Sequence, residues 1–293
     1  MRILFIGSVL FSYHTLKKLL ELNAEIVGVC TKQASSFNSD FYDLASLSID
    51  NNIPYRYVDD INDTESLTWI EQQKPDIIFC FGWSSLLKNE LLSLAPMGVL
   101  GYHPTKLPQN RGRHPLIWSL VLGLQSSAST FFFMQEGADD GDILSQKEFL
   151  IDEDDDASSL YDKVTKTALS QIELFLPKLQ SNNYQRVPQD HTKANYWRKR
   201  GAKDGLIDFR MTSKAIYNLV RALTKPYVGT HIIYNEQEFK VWKVAIIPSS
   251  NINIEPGKVL SHQSNTFTVK TCDGAIKILE HTLLELPPIG AYL

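Results

Sequence analysis

Short apolar runs alternate with helix-like segments over the first hundred residues of the chain. Three runs have the length and composition of buried strands: residues 1–7, 24–30 and 75–81. Between them, leucines recur at helical spacing from Leu16 to Leu20, and residues 40–50 carry a second helical pattern. Strands that alternate with helices build parallel sheets, so the pattern predicts an α/β fold.

Two further strands and a long helix are predicted before residue 180. Residues 98–103 and 129–134 are apolar, and three consecutive phenylalanines in the second run favour a fully buried strand. The acidic residues 152–156 precede a helical stripe, and acids at a helix N-terminus complement its dipole without a ligand. We therefore expect a Rossmann-like, mostly parallel sheet with helices on both faces. The stripe comprises Leu160, Val164, Ala168, Ile172 and Phe175.

A polar segment at residues 181–190 has the composition of a linker. It divides the chain into a predicted catalytic domain, residues 1–188, and a small C-terminal domain, residues 189–293. One helix around residues 216–223 and several short strands, such as 238–247, predict that the second domain is β-rich and OB-like.

The composition is that of a globular protein, with 43% hydrophobic and 21% charged residues among 293. No apolar run approaches the ~20 residues needed to cross a bilayer, and the first run is too short for a secretory signal. We expect a cytoplasmic protein with no membrane partner. Residues 1–190 hold 15 Lys and Arg against 25 Asp and Glu, whereas residues 191–293 hold 14 against 8. The basic second part either meets phosphate or is a solvated surface.

Several common site motifs are absent from the sequence. Gly7-Ser8-Val9-Leu10 follows the first strand but lacks the GxGxxG glycines that approach a dinucleotide. There is no GxxxxGK[ST], HExxH or GxSxG segment either. These absences disfavour an NAD enzyme, a phosphate-loop protein, a zinc protease and a serine hydrolase, and no metal site is expected.

Two loops concentrate residues that can carry chemistry. The first, residues 101–115, places His103 at a predicted strand end, where ligands bind in open α/β sheets. Pro104 holds His103 extended, so that its ring can be aimed. A carboxylate from the second loop, Asp139, would orient the imidazole and raise its basicity, which suits proton removal from an amine. The alternative is a packed histidine and a turn aspartate.

These loops resemble those of the N10-formyltetrahydrofolate-dependent formyltransferases, which include methionyl-tRNA formyltransferase and the nucleotide-sugar N-formyltransferases. The family motif His-Pro-x-x-Leu-Pro-x-x-Arg-Gly is present at residues 103–112, and Asp-x-Gly-Asp-Ile at residues 139–143. Further resemblance extends to the C-terminal part, as in Lys240-Val241-Trp242-Lys243. The resemblance implies formyl transfer from N10-formyltetrahydrofolate, which leaves as tetrahydrofolate, and a homodimer.

The resemblance also implies roles for individual residues. His103 would be the general base and Asp139 the group that orients and charges it. The folate carrier would bind two segments. The first is the loop after the fourth strand, with Gly82, Trp83, Ser84, Ser85, Leu86 and Leu87, and the second is the segment that leads to Asp139, with Gln135, Glu136, Gly137 and Asp139 itself. Trp83 is equally compatible with a packed surface aromatic. The acceptor would meet Arg113, Asn110, Tyr13, His14, Trp197 and Arg198.

One position departs from the family pattern. Family members carry an asparagine two residues before the catalytic histidine, where its amide stabilises the oxyanion, but this chain has Gly101. Asn110, His114 or a backbone N–H could take over, and the sequence does not choose among them.

The acceptor is predicted from charge and from the resemblance. The tRNA-acting members carry a basic insertion after the second strand, whereas residues 31–44 here contain Lys32 as their only base. We expect a nucleotide-linked amino sugar, a UDP- or dTDP-4-amino-4,6-dideoxy sugar, with the pseudaminic-acid formyltransferases as the nearest likeness. The basic run at residues 198–203 could hold a diphosphate or be solvated surface. Two alternatives remain: a tRNA formyltransferase, and a non-catalytic folate- or nucleotide-binding protein.

Overall fold

A computed structural model describes residues 1–35, 39–249 and 253–293. The chain divides into two compact units. The first comprises Met1–Pro115, Ser126–Leu150 and Asp162–Trp197, and the second Leu116–Gln125, Ile151–Tyr161 and Arg198–Leu293. Both units are discontinuous in sequence, so the single boundary placed at residue 188 stays a prediction.

The first unit is built on a seven-stranded sheet of order β3-β2-β1-β4-β5-β7-β8. Its strands are β1 (Arg2–Ile6), β2 (Glu25–Thr31), β3 (Tyr55–Tyr57), β4 (Ile77–Cys80), β5 (Val99–His103), β7 (Ser126–Phe133) and β8 (Ile143–Leu150). A separate pair joins β6 (Arg111–Gly112) to β9 (Tyr196–Trp197). The helices are α1 (Leu10–Glu21), α2 (Ala45–Asp50), α3 (Thr64–Gln72), α4 (Asn89–Leu92) and α6 (Ala157–Gln180), of which the first turn belongs to the second unit.

The strands from β3 to β5 are parallel, and β7 and β8 are antiparallel to their neighbours. This confirms the mostly parallel sheet and the predicted strands. The strand order reverses direction at β1 and β4, since the chain winds first toward β3 and then toward β5. Right-handed crossovers place the helices of these two halves on opposite faces, and ligands bind where the order reverses.

Alternating residues of the central strands fill two apolar layers. On one face, Leu4, Ile78 and Val99 pack with Ile70 of α3 and Leu91 of α4 in one buried cluster. On the other face, four phenylalanine rings form a chain of contacts from the sheet to α6. Phe79 of β4 contacts Phe81, Phe81 contacts Phe131 of β7, and Phe131 contacts Phe175 of α6. A sheet buried on both faces requires near-continuous apolar strands, which is the pattern that identified them.

The helix predicted over residues 40–50 is wrong in its first half. α2 begins only at Ala45. Before it, the carbonyl oxygen of Asp40 accepts from the N–H of Leu10, and the N–H of Tyr42 donates to Ser8. The backbone here pairs with the loop after β1, and this pairing is incompatible with a helix. Residues 36–38 lie outside the described residues.

The second unit contains an antiparallel sheet of order β10-β11-β14-β13-β12. Its strands are β10 (Thr230–Tyr234), β11 (Gln237–Ile247), β12 (Val259–Gln263), β13 (Thr266–Lys270) and β14 (Ala275–His281), with α5 (Pro115–Val121) and α7 (Ser213–Leu223) as helices. The predicted β-rich character of the C-terminal part is confirmed. Among the described residues, none of the helices combines the length and the apolar character that crossing a bilayer requires.

We expect the buried sheet to dominate the stability of the first unit. Ile78→Ala, at a position with 0% exposure, should lower the free energy of unfolding by about 2 to 5 kcal/mol because it leaves a cavity. Ile49→Ala is the matched control, since Ile49 is 59% exposed, and should change stability by less than ~0.5 kcal/mol. Urea denaturation of both variants measures the difference, and equal effects would contradict the packing described.

Candidate active site

His103 is the last residue of β5, and a backbone carbonyl fixes its buried ring. Nε2 lies 2.8 Å from the carbonyl oxygen of Asn110. A carbonyl oxygen only accepts hydrogen bonds, so Nε2 carries the ring hydrogen and donates it. In the neutral imidazole the lone pair is therefore on Nδ1.

Asp139 lies beside that lone pair. Its Oδ2 is 3.6 Å from Nδ1 of His103 and accepts a hydrogen bond from the N–H of Gly112 at 2.8 Å. Asp139 adopts a left-handed backbone conformation with φ 55°, which aspartate tolerates better than most residues. The structure thus brings together the two residues that the sequence analysis paired from separate loops.

The pair is arranged to accept a proton at Nδ1. A proton gained there would lie 3.6 Å from Oδ2 of Asp139, the distance of an ion pair. The carbonyl of Asn110 orients the imidazole, and Asp139 faces the nitrogen that takes the proton. This division of roles gives His103 the geometry of a general base with a counter-ion.

A buried hydrogen-bond network holds the loop of Asp139. Nε2 of Gln189 donates to the carbonyl oxygens of Asp139 and Gly141 at 2.9 and 2.7 Å. Its Oε1 accepts from Arg111 at 2.7 Å, and Arg111, fully buried, also donates to the hydroxyl of Tyr196 at 3.0 Å. Sequence analysis missed Gln189, because a lone glutamine in a polar segment gives no signal.

Close backbone contacts require glycine at two motif positions. Gly112 has φ 103°, and a side chain there would collide with the carbonyl oxygen of Trp197. A Cβ at Gly141 would overlap the carbonyl oxygen of Phe133. Glycine at these two positions therefore lets each loop lie in close contact with the backbone of a neighbouring strand.

The space at Gly101 is filled by neighbouring side chains. An added Cβ would lie 2.6 Å from Cγ and 2.9 Å from Sδ of Met134, and 3.2 Å from Phe132. An asparagine here would have to displace Met134. Position 101 therefore supplies no side-chain donor.

The loop of residues 82–87 follows β4 at the carboxyl edge of the sheet. Leu87 is buried, whereas Leu86 is 71% exposed. Asn62 holds this backbone, since its Nδ2 donates to the carbonyl oxygen of Leu86 at 3.0 Å and its Oδ1 accepts from the N–H of Lys88 at 2.7 Å. A fixed loop thus presents one exposed apolar side chain. Asn62 is a second residue that sequence analysis missed.

Trp83 packs against the buried cluster beside this loop. Its Nε1 is buried without a hydrogen-bond partner in the part of the chain that is described, and Nζ of Lys32 lies 5.0 Å from its ring centroid. Nη1 of Arg113 donates to the carbonyl oxygen of Ser84 at 2.8 Å, and Ser85 is exposed. Arg113, predicted to meet the acceptor, therefore contacts the predicted folate loop.

The remaining predicted folate residues lie between β7 and β8. Gln135, Glu136 and Gly137 are all exposed in the loop that leads to Asp139. Their exposure leaves them accessible to a ligand, and their role stays a prediction.

Two predicted acceptor residues lie near the start of α1. The Tyr13 ring lies 4.5 Å from that of Tyr42 and 5.5 Å from that of His14, centroid to centroid. Partial burial lowers the pKa of His14 below its ordinary value, against the opposing influence of Asp162. An aromatic group thus adjoins the loop after β1, at the edge where β1 and β4 end.

Trp197 and Arg198 belong to different units. Trp197 lies in β9, and its carbonyl oxygen accepts from the N–H of Arg113 at 3.0 Å, in the loop that follows β5. Arg198 forms a bidentate pair with Asp204 in the second unit, which holds the pKa of that carboxyl well below its usual range. Its guanidinium also lies 5.4 Å from the ring centroid of Trp118.

A metal site needs several His, Cys, Asp or Glu side chains close together. Over the described ranges, no group of three or more His, Cys, Asp or Glu residues is placed to hold a metal.

We expect Gln189→Leu to lower the free energy of unfolding of the first unit and to remove hydrogen bonds that hold the loop of Asp139. The change removes one of the acceptors of Arg111 and the side-chain donor of two loop carbonyls, and each buried group that loses its partner costs about 1 to 3 kcal/mol. Urea denaturation should therefore show a loss of about 3 kcal/mol or more. Gln185→Leu, at an exposed position, serves as the control with a change below ~0.5 kcal/mol. A loss no larger than the control's would show that the network does not support the loop.

Solved structures share this fold at low sequence identity. WlaRD, a sugar 3N-formyl transferase crystallised with dTDP and 5-N-formyl-THF, is 22% identical over 98% of this chain and 99% of its own, with a TM-score of 0.68. The N-formyltransferase from Helicobacter canadensis, in complex with folinic acid and dTDP-3-aminofucose, is 18% identical over 96% of this chain and 99% of its own, with a TM-score of 0.71.

A longer protein contains the same architecture. HypX from Aquifex aeolicus, in complex with tetrahydrofolic acid, is 20% identical over 95% of this chain, with a TM-score of 0.68. The chain spans only 43% of HypX, so the two proteins share this part alone.

Family sequence models match both parts of the chain. Residues 1–173 match the formyl transferase family, and residues 200–290 match the formyl transferase C-terminal domain. The first match contains His103, Asp139 and the loop after β4, and it covers more than half of the chain. The chain therefore belongs to the formyl transferase family.

Proposed function

We propose that this protein transfers the formyl group of N10-formyltetrahydrofolate to the amine of a nucleotide-linked amino sugar. The observation that carries the proposal is the placement of Nδ1 of His103, 3.6 Å from the carboxylate of Asp139. A protonated amine cannot attack a carbonyl carbon, and a nucleophilic amine must lose a proton as it is acylated. His103 accepts that proton, and Asp139 stabilises the charge that results.

The folate carrier supplies the one-carbon unit, and the loop of residues 82–87 fits it. Leu86 offers an exposed apolar surface, and the backbone that Asn62 holds offers fixed polar groups. Binding pockets for planar ligands commonly combine these two features. The buried Nε1 of Trp83, which lacks a partner in the described part of the chain, marks a donor in the same loop. Solved relatives of the same fold hold folate derivatives.

A sugar acceptor is supported by charge and by the structural neighbours. WlaRD and the Helicobacter canadensis enzyme were crystallised with dTDP or a dTDP-linked amino sugar. Residues 31–44 offer Lys32 as their only base, although residues 36–38 of this loop lie outside the described residues. Gripping a tRNA stem requires several cations, because each neutralised phosphate contributes to affinity. We propose a UDP- or dTDP-4-amino-4,6-dideoxy sugar, of the type used in pseudaminic-acid synthesis.

A tRNA acceptor is the principal alternative, since residues 191–293 are basic. Several of these cations are already engaged within the second unit. Arg198 pairs with Asp204, Arg210 pairs with Asp208, and Arg200 lies 4.6 Å from the ring centroid of Trp118. Cations that are paired in this way contribute less to a phosphate-binding surface.

Acceptor specificity is tested with the purified protein and N10-formyltetrahydrofolate. We expect formylated UDP- or dTDP-amino sugars, detected by mass, and no formylation of aminoacylated initiator tRNA. Formylated tRNA would overturn the sugar assignment. Folate binding without turnover on any acceptor would instead identify a binding protein.

Variants of the proton acceptor test the chemistry. His103→Ala should lower kcat by roughly 10²- to 10⁴-fold, the contribution typical of a general base. Asp139→Asn should also lower kcat, because the protonated ring loses its counter-ion. His262→Ala, at an exposed histidine of the second unit, is the control and should leave turnover intact. Turnover by His103→Ala at the control's rate would rule out His103 as the base.

A further inference from the structure

We infer that the side-chain amide of Asn110 donates a hydrogen bond to the formyl oxygen during transfer. The inference rests on the proposed function and adds a catalytic residue to it. As the sugar nitrogen bonds to the formyl carbon, the C=O π electrons move onto oxygen. They return when the bond from carbon to N10 breaks. His103 takes the proton that the sugar nitrogen sheds, and this proton passes to N10 as N10 leaves. An oxygen that gains charge in this way requires a fixed donor.

Position 101 cannot supply the donor. Gly101 has no side chain, and Met134 and Phe132 occupy the space next to it. The donor must therefore come from the loop that follows β5 or from another segment beside His103.

The backbone of that loop is already committed. Every N–H from residue 110 to residue 113 donates to a protein acceptor. The acceptors are, in order, Oδ1 of Asn195 at 2.9 Å, the carbonyl of Asn195 at 3.0 Å, Oδ2 of Asp139 at 2.8 Å and the carbonyl of Trp197 at 3.0 Å. An oxyanion could accept from a backbone N–H of residues 110–113 only if one of these hydrogen bonds were broken.

The amide of Asn110 is uncommitted, and its orientation is set by Asn195. Because Oδ1 of Asn195 accepts from the backbone of Asn110, the side of Asn195 that faces Asn110 Oδ1 is its Nδ2, at 3.1 Å. Oδ1 of Asn110 is thereby held, and Nδ2 is turned away from this pair. That Nδ2 forms no hydrogen bond with any residue the structure describes, which leaves two N–H donors for a ligand.

The same residue fixes the base. The carbonyl oxygen of Asn110 accepts from Nε2 of His103 at 2.8 Å, so the free amide belongs to the residue that holds the imidazole. Asn110 has φ 64°, a left-handed conformation that asparagine, aspartate and glycine adopt most readily. The proton acceptor and the proposed oxyanion donor are thus placed by one backbone unit.

Asn110→Gly is the sharpest test, because glycine keeps the left-handed backbone and the carbonyl that holds His103. We expect kcat to fall by roughly 10²- to 10³-fold, as for other lost oxyanion donors, with little change in KM. Asn110→Asp, which replaces the donor by an acceptor, should lose at least as much. Asn52→Gly is the matched control, since Asn52 is exposed with φ 55°, and should leave kcat unchanged.

A readout without turnover separates this role from a structural one. The ¹³C-labelled formyl group of N10-formyltetrahydrofolate, bound without acceptor, should absorb at lower infrared frequency in the wild type than in Asn110→Gly. Urea denaturation checks that each variant is folded. An active wild type with unchanged kcat and an unchanged formyl frequency in Asn110→Gly would overturn the role of Asn110 alone. An inactive wild type would overturn the proposed function instead.

Discussion

The hydrogen bond from Nε2 of His103 to the carbonyl oxygen of Asn110 determines the chemistry of the site. It fixes the tautomer, because a carbonyl accepts only from an N–H, and it therefore places the lone pair on Nδ1, opposite Asp139. The other tautomer would set a lone pair against a carbonyl oxygen and is disfavoured. In this arrangement the carboxylate faces the nitrogen that we propose gains the proton, whereas a carboxylate on the opposite nitrogen would act through the ring.

The geometry of the hydrogen bond between His103 and Asn110 depends on the position of the loop that carries the Asn110 carbonyl. Residues 104–112 are held at their far end by the pairing of β6 with β9 and by the buried guanidinium of Arg111. The side chains that accept from Arg111 are Gln189, His191 and Tyr196, and none of them is a carboxylate. A buried cation is costly unless it is hydrogen-bonded, and Arg111 relies on these Nη bonds because its buried Nε has no partner among the described residues. The network therefore couples the geometry of the site to the stability of the unit.

The sequence predicted what depends on local pattern. Apolar runs placed β1, β4 and β5, and the end of the run at residues 98–103 placed His103 at a strand end. The supports of the site come from distant segments: Gln189 reaches Asp139, and Asn195 reaches Asn110, across the chain. No periodicity marks these residues, because their partners are backbone groups that any sequence carries. The helix predicted from residue 40 failed for the same reason, since tertiary backbone pairing with the loop after β1 replaced local helix formation.

Gly101 and Asn110 are best understood together. With Met134 packed against Gly101, the strand that carries the base offers no neighbouring amide, while the loop offers one on the residue that orients the base. A donor on the strand would be independent of the loop, whereas a donor on Asn110 moves with the carbonyl that holds His103. In the mechanism that we propose, any displacement of the loop would disturb proton acceptance and oxyanion stabilisation at once. Four consecutive backbone N–H groups of this loop donate to Asn195, Asp139 and Trp197, and these hydrogen bonds restrict such a displacement.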